Sequence, residues 1–315
     1  MSGITGLHHV TAISGDAQEN LDFYVGVMGM RLVKRSVNQD SPGTYHLFYA
    51  DAEGNPGTDL TFFPWPDLPK GRRGAGVTVE VALAVPAGSL GYWRERLAGA
   101  EINVGEPAAR FSEETLLFED PHGLPVALVA TADPRDFRTW PESPVPPQHQ
   151  VRGLHATRLV TRDLTATTQF IMGAMGYARH AEEDGWHRFA VDGGGSGKWL
   201  DLREDREAPR GTWGVGSVHH VAFRVPDDAA ELAVRDDIEE FRRNPTPVID
   251  RFWFKSVYFK EPGGALFEIA TDGPGFAVDE SMETLGESLV LPPWLEPQRA
   301  EIEAALPKVR VPVAR

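Results

Sequence analysis

Gly6-Leu7-His8-His9-Val10-Thr11, near the start of the chain, returns as Ser217-Val218-His219-His220-Val221-Ala222. A degenerate third copy, Gly153-Leu154-His155-Ala156-Thr157, keeps only the first histidine. Each copy reads as a strand and is followed by helix signals. After the first, Asp16 with Glu19 three residues on forms a capping box, and Leu21, Tyr24, Val25 and Met28 follow at helical spacing. After the third, Asp163 opens a helix through Phe170. Pro226-Asp227-Asp228 opens another that ends near Phe241. A further segment follows the same plan without histidine: Val77 to Val85 alternates as a strand, and Pro86 to Leu97 reads as a helix.

The module ends also rhyme. Pro56-Gly57 precedes Leu60–Phe63, Asp120-Pro121-His122-Gly123 precedes Val126–Leu128, and Pro262-Gly263-Gly264 precedes Leu266–Ile269. In each case a turn delivers the chain into a last strand. The glycine run 193–197 before Trp199 is a turn, since it lacks the strand-then-helix setting of a phosphate loop. The reading is an α+β fold of four βαβββ modules, starting near residues 5, 76, 152 and 216 and forming two half-barrel domains. An N-terminal domain (1–132, modules 1 and 2) and a C-terminal domain (151–285, modules 3 and 4) flank a linker at 133–150. Pro134, Pro141, Pro144, Pro146 and Pro147 mark that linker as extended, with Pro125 just upstream. A tail (286–315) includes a helix-like run from Glu296 to Leu306, expected to pack across a surface or in an interface.

Length and composition bound the function. A chain of 315 residues has room for two domains with a substantial core. It has no cysteine, which excludes disulfides, thiolate metal sites and cysteine nucleophiles, and fits a reducing cytoplasm. A net charge of −15 argues against nucleic acid as a partner. No apolar run approaches the ~18 residues of a membrane span, and the N-terminus lacks a signal-peptide pattern, so no membrane partner is expected.

The paired histidines carry the chemistry. On an ideal strand His9, Thr11 and Ile13 share one face and His8, Val10 and Ala12 the other. If modules 1 and 4 pair by pseudo-symmetry, His9 and His220 converge, and the last strand of module 4 adds Glu268. Two imidazoles and a carboxylate form a set that non-haem Fe(II) oxygenases use, because three facial ligands leave open positions for substrate and dioxygen. Alignment on the prolines places Phe62 and Ala127 opposite Glu268 in modules 1 and 2, and Ala156 opposite His9 in module 3. On that alignment modules 2 and 3 enclose a metal-free cavity, and Phe62 excludes a fourth ligand.

These features resemble the vicinal oxygen chelate superfamily, which spans glyoxalases, bleomycin-resistance proteins and dioxygenases. Within it the chain is similar to the hydroquinone-type ring-cleaving dioxygenases, such as 2,6-dichlorohydroquinone dioxygenase. The resemblance rests on Leu7-His8-His9, Pro56-Gly57-Thr58, Val218–Phe223 and Pro262–Glu268. It implies Fe(II), less often Mn(II), on His9, His220 and Glu268, O2 as co-substrate, a small aromatic substrate and a homo-oligomer. It also implies roles around the metal for His8, Thr11, His219, Arg251 and Tyr258. A Tyr hydroxyl suits a bound phenolate and an Arg guanidinium an oxyanion. Arg251 and Tyr258 are seven residues apart, an odd separation, so a bend between them is required if both face one site.

Three rivals stand beside the dioxygenase. A glyoxalase-like lyase or isomerase usually wants four protein ligands. A thiol transferase of the fosfomycin-resistance type usually has two modules. A non-catalytic binding protein of the bleomycin type lacks the triad. His155 reads as a relic of the repeat, and His46, His122, His149, His180 and His187 as structural. Phe252-Trp253-Phe254 suits either a ring-binding wall or core packing.

Overall fold

The computed structural model describes residues 3–133, 135 and 137–312, so Met1, Ser2 and the linker's Pro134 lie outside the described residues. Module 1 supplies β1 (Gly6–Ser14), β2 (Arg31–Asn38), β3 (Ser41–Ala50) and β4 (Asp59–Pro64). Module 2 supplies β5 (Val77–Pro86), β6 (Ala108–Arg110), β7 (Glu113–Glu119) and β8 (Pro125–Thr131). Module 3 supplies β9 (Leu154–Thr161), β10 (Ala178–Glu183), β11 (Trp186–Ala190) and β12 (Trp199–Glu204). Module 4 supplies β13 (Ser217–Val225), β14 (Ile249–Asp250), β15 (Lys255–Lys260) and β16 (Leu266–Thr271).

These strands make two curled eight-stranded sheets, ordered β14-β15-β16-β13-β1-β4-β3-β2 and β10-β11-β12-β9-β5-β8-β7-β6. Module 1 therefore joins module 4, and module 2 joins module 3, through the antiparallel central pairs β1–β13 and β5–β9. The two half-barrels of the α+β reading are present, and each draws one module from either side of the linker. Gly76 and Gly216 lock one barrel to the other. Both sit at positive φ (81° each), and a Cβ would meet the backbone oxygen of Gly263 at 2.5 Å in one case and of His122 at 2.4 Å in the other.

Helices cover the convex faces. They are α1 (Ala17–Leu21), α2 (Leu90–Gly99), α3 (Leu164–Gly173), α4 (Asp228–Glu240) and the tail helix α5 (Arg299–Ala305). Leu21, Trp93, Leu97, Phe170, Ile171, Val234 and Ile238 point from the first four into one continuous core. Asp16, Asp163 and Asp227 each accept a backbone N–H three residues on, at 2.9 Å, which sets where three of the helices start. Two expectations shift. The first helix widens into a π turn over Asp22–Val27, with Met28 N bonded to Phe23 O at 2.8 Å. Pro86 ends β5 rather than opening a helix, and α2 starts only at Leu90. The tail packs along the outside of module 1. Tyr45 Oη donates to Pro307 O at 2.9 Å, and just ahead of the tail Asp279 (2.7 Å) and Glu280 hold the fully buried Lys34.

Register fixes which positions correspond. In β1–β13, Leu7 pairs with Phe223 but His9 with Ala222, and Thr11 pairs with His220 but Ala12 with Val218. His8 and His219 are thus the extra residues of two symmetric β-bulges. The second barrel repeats them at Val79 and His155. With Val10–Val221 and Val81–Thr157 as the central pairs, His9 corresponds to His220, Glu80 and Ala156. Glu268 pairs with Ala222, so its counterparts are Thr61 opposite Thr11, Ala127 opposite Ala82, and Asp201 opposite Arg158. This corrects one expectation: Thr61, not Phe62, occupies the Glu268 position of module 1. Phe62 lies on the opposite face of β4, fully buried against Tyr24 and Tyr49.

Candidate metal centre

The concave face of the first barrel brings His9, His220 and Glu268 together. His9 Nε2 lies 3.2 Å from His220 Nε2, and Glu268 Oε2 lies 3.4 and 3.0 Å from the two nitrogens. All three side chains are buried. Among the described residues this is the one group of three or more such side chains whose donor atoms all lie within 4.8 Å. Bonds of about 2.1 Å at right angles place neighbouring donors about 3.0 Å apart, close to these separations. Glu268 Oε1 accepts from Ser256 Oγ at 2.5 Å, while Oε2 is buried with no hydrogen bond among the described residues. A buried, unsatisfied carboxylate oxygen facing two imidazole nitrogens suits a divalent cation.

The bulges turn each extra histidine toward its neighbour, which strict alternation does not predict. His8 Nδ1 lies 2.9 Å from His9 Nδ1, and His219 Nδ1 lies 2.8 Å from His220 Nδ1. Burial lowers His8 and His219 to about 3 each, so both rings are neutral. His8 Nε2 donates to Thr271 O at 3.1 Å, which leaves its Nδ1 to accept a proton from His9 Nδ1. His9 Nε2 then carries a lone pair toward the centre. His219 Nδ1 makes the matching contact with His220 Nδ1 on the other side of the centre. His219 Nε2 bonds no protein atom among the described residues, and the ring stacks on Trp213 at 4.3 Å beside the cavity.

A cavity of about 470 Å³ opens next to His9 and His220. Phe48, Phe63, Trp65, Trp253 and Phe254 form aromatic walls, and Phe254 lies 5.2 and 5.3 Å from the His8 and His9 rings. Arg251 and Tyr258 both line it. The bend their odd separation demands is the tight β14–β15 turn, where Arg251 N bonds Phe254 O at 2.9 Å and Phe252 takes φ 75°. Arg251 sits over the Tyr258 ring at 5.3 Å and binds Asp40 through both terminal nitrogens (3.2 and 2.9 Å). Burial, reinforced by Glu268, pushes the Tyr258 phenol above its ordinary value and keeps it a proton donor. Thr11 is fully buried and does not line the cavity; its hydroxyl lies 2.8 Å from that of Thr61.

One cavity residue, His46, escapes the reading of the motifs. It corresponds by register to Ser256, and it bonds Thr61 as Ser256 bonds Glu268. The repeat held that signal, but only once the strands are paired. His155, the relic, is instead held by Ser196 (3.2 Å) and Glu113 (3.1 Å).

The matching positions of the second barrel look different. Asp201 accepts from Arg158 Nε (3.3 Å) and from Arg188 Nε and Nη2 (2.8 and 3.1 Å). Arg188 also holds Glu113 at 2.7 Å, and Arg110 holds Glu80 at 2.7 Å. About 10 Å³ of cavity is left between them.

Comparison with known proteins agrees with this architecture. The family model described as Glyoxalase/Bleomycin resistance protein/Dioxygenase superfamily matches residues 6–128 and 153–269. A Bacillus subtilis protein with the provisional name of ring-cleaving dioxygenase MhqE is 42% identical over 96% of this chain and 99% of its own. The chlorohydroquinone/hydroquinone 1,2-dioxygenase of Sphingobium indicum is 34% identical over 95% of each chain. A crystal structure from Bacillus subtilis, provisionally described as a dioxygenase, superposes with a TM-score of 0.93 at 38% identity, covering 99% of this chain and 100% of that one. Glyoxalase I from Zea mays shares the fold, with a TM-score of 0.65 at 17% identity over 85% of this chain and 92% of its own. With both repeats of the family model matched and a relative of 42% identity aligned almost end to end, the chain belongs to the glyoxalase/bleomycin resistance protein/dioxygenase superfamily.

Proposed function

We propose that this chain is a ring-cleaving dioxygenase that opens a hydroquinone- or catechol-type ring at a single divalent metal held by His9 Nε2, His220 Nε2 and Glu268 Oε2. The observation that carries the reading is the ligand triangle with its orphaned carboxylate oxygen, set in an aromatic-walled cavity. The names of the full-length relatives support it. Fe(II), less often Mn(II), is the metal we assign, and bound there it supplies redox coupling between an electron-rich ring and dioxygen. The reaction is extradiol-like and the substrate a small aromatic molecule.

The protein's own groups have definable tasks. His8 and His219 fix the tautomers of the ligating rings through their Nδ1 contacts. His219 Nε2–H and the Tyr258 phenol are donors toward a ring oxygen. Arg251, held by Asp40, offers a fixed positive charge where negative charge develops on the substrate. The aromatic walls take the ring faces and exclude water. Thr61 in place of a carboxylate argues against a four-ligand lyase. We place the chain in the cytoplasm and retain two sequence units, 1–132 and 151–285, with the linker 133–150 and tail 286–315. No helix among the described residues is long and apolar enough to cross a membrane.

The test is dioxygen uptake by anaerobically purified protein loaded with Fe(II), with hydroquinone, methylhydroquinone and catechol in parallel. The reading expects uptake in step with ring loss and none in His220→Ala. A metal-loaded protein that consumes no dioxygen with any ring contradicts it.

A further inference from the structure

His8 and His219 hold matching places in the two bulges, yet they are anchored differently. His8 is buried and spends its Nε2 on Thr271 O at 3.1 Å. Register places Pro64 where module 4 has Thr271, since Ser14 pairs with Pro64 as Val225 pairs with Thr271. His219 makes no bond to Pro64, and its one hydrogen-bond contact among the described residues is the Nδ1 contact with His220. Its ring is held instead by other rings. Trp213 stacks on it, with centroids 4.3 Å and planes 22° apart, and Phe63 and Trp65 lie at 5.5 and 6.2 Å. Trp213 sits on the connector that enters β13, and its backbone is pinned on both sides. Thr212 and Arg72 exchange both backbone hydrogen bonds, at 2.9 and 3.1 Å. Gly214 N donates to Ser217 Oγ at 3.0 Å, and a Cβ on Gly214 would meet Pro69 O at 2.3 Å. The indole itself is 45% exposed, so it adds little to the core. The connector into module 2 has matching glycines, Gly71, Gly74 and Gly76 against Gly211, Gly214 and Gly216, but carries Arg73 in this place. Arg73 pairs with Glu119 at the surface.

We propose that Trp213 is a positioning residue of the site: its indole fixes the plane of the His219 ring without using a ring nitrogen, which leaves Nε2 free for the substrate. This rests on the proposed ring-cleaving function and adds to it a residue outside the groups assigned above. A carbonyl anchor, as on His8, orients an imidazole but occupies the atom that would meet a substrate oxygen. A stack orients the ring through its face and leaves its edge untouched. The Nδ1 contact with His220 alone fixes one corner of the ring, about which the plane can still tilt. With Trp213 in place the ring has two restraints, and little orientational freedom is left to freeze when the substrate binds. His8 is thus a closed partner of its ligating neighbour, and His219 an open one.

An aromatic stack shifts such an equilibrium by roughly two- to tenfold. In Fe(II)-loaded protein, Trp213→Ala is therefore expected to lower kcat with hydroquinone by about that factor at unchanged metal content. Trp213→Phe, which keeps a ring face, is expected to restore most of it. A double-mutant cycle separates positioning from a general structural effect: in a His219→Gln background, Trp213→Ala is expected to change kcat no further. A second readout needs neither metal nor turnover. Diethyl pyrocarbonate acylates accessible imidazole nitrogens. Its rate at His219 in metal-free protein, mapped by mass spectrometry, is expected to rise severalfold in Trp213→Ala and to stay near the wild-type rate in Trp213→Phe. A Trp213→Ala protein with wild-type kcat, or one whose loss recurs in full in the His219→Gln background, overturns the proposal. So does an unchanged His219 rate in Trp213→Ala. A wild type that consumes no dioxygen with any ring overturns the ring-cleaving reading instead, and the His219 rate then decides alone whether Trp213 holds the ring.

Discussion

In the barrel of modules 1 and 4, Glu268 keeps one buried oxygen without a hydrogen bond beside a cavity of about 470 Å³. In the barrel of modules 2 and 3, its counterpart Asp201 has both oxygens bonded by arginine, and about 10 Å³ remains. The backbones match down to the bulges at His8, His219, Val79 and His155. The difference lies in a few side chains. Arg158 stands where the first barrel has Ala222, and Arg188 pairs with Asp201 as Tyr258 pairs with Glu268. Long cations occupy the space that substrate needs, and their counter-ions Glu80, Glu113 and Asp201 satisfy the charges locally. A satisfied buried network rigidifies its surroundings, whereas an unsatisfied one invites a ligand. The same fold thus carries a structural plug on one side and an open candidate metal centre on the other.

The comparison breaks most sharply at the ligands. Glu268→Ala is expected to abolish ring cleavage and lower metal affinity at least about 100-fold, more than the 10–100-fold typical of groups one layer out. Its fold should persist, because the second barrel is untouched. Metal analysis after dialysis, with circular dichroism as control, checks this. The mirror change, Asp201→Ala, should do the reverse. It leaves the Arg158 and Arg188 guanidiniums buried without Asp201, which destabilises by about 3–5 kcal/mol in urea unfolding while metal content stays at the wild-type level.

A smaller effect sharpens the plug's chemistry. Burial alone would raise Glu113, but hydrogen bonds from His155 and Arg188 outweigh it and hold its pKa below the ordinary value. The unfolded chain therefore takes up a proton first as pH falls. This stabilisation is full above the ordinary carboxylate pKa and is lost as acid titrates through the lowered folded one. Glu113→Gln should flatten that acid limb of the unfolding midpoint plotted against pH, without changing activity at neutral pH. Least of all, Asp40→Ala should alter stability by less than about 1 kcal/mol, since Asp40 is largely exposed. Its effect belongs in catalysis: a severalfold loss of kcat/KM, because Arg251 is no longer steered over Tyr258.

Much of this contrast was legible in the residues. The duplicated His-His strands and the turn before Glu268 pointed to the three side chains that the fold brings together, because a repeat with a positioned carboxylate has few other uses. Ala156 flagged module 3 as lacking a ligand. Other features needed the strands to be paired. Proline spacing put Phe62 opposite Glu268, because the loop before β4 differs by one residue and register is set by strand pairing, not by turns alone. The bulges that turn His8 and His219 onto their neighbours have no local signature in sequence. His46 looked like any strand histidine until Ser256 emerged as its counterpart. The arginine plug was invisible for the same reason: Arg158, Arg188 and Asp201 come together only across the barrel.

The most direct test of the account is the metal content of wild-type, Glu268→Ala and Asp201→Ala proteins after Fe(II) reconstitution, read beside dioxygen uptake with hydroquinone. The account predicts one metal per chain and uptake matched to ring loss in the wild type, neither in Glu268→Ala, and a full complement of metal in Asp201→Ala. Metal retained by Glu268→Ala, or lost from a folded Asp201→Ala, would contradict it by placing the metal away from His9 and His220 or in the other barrel.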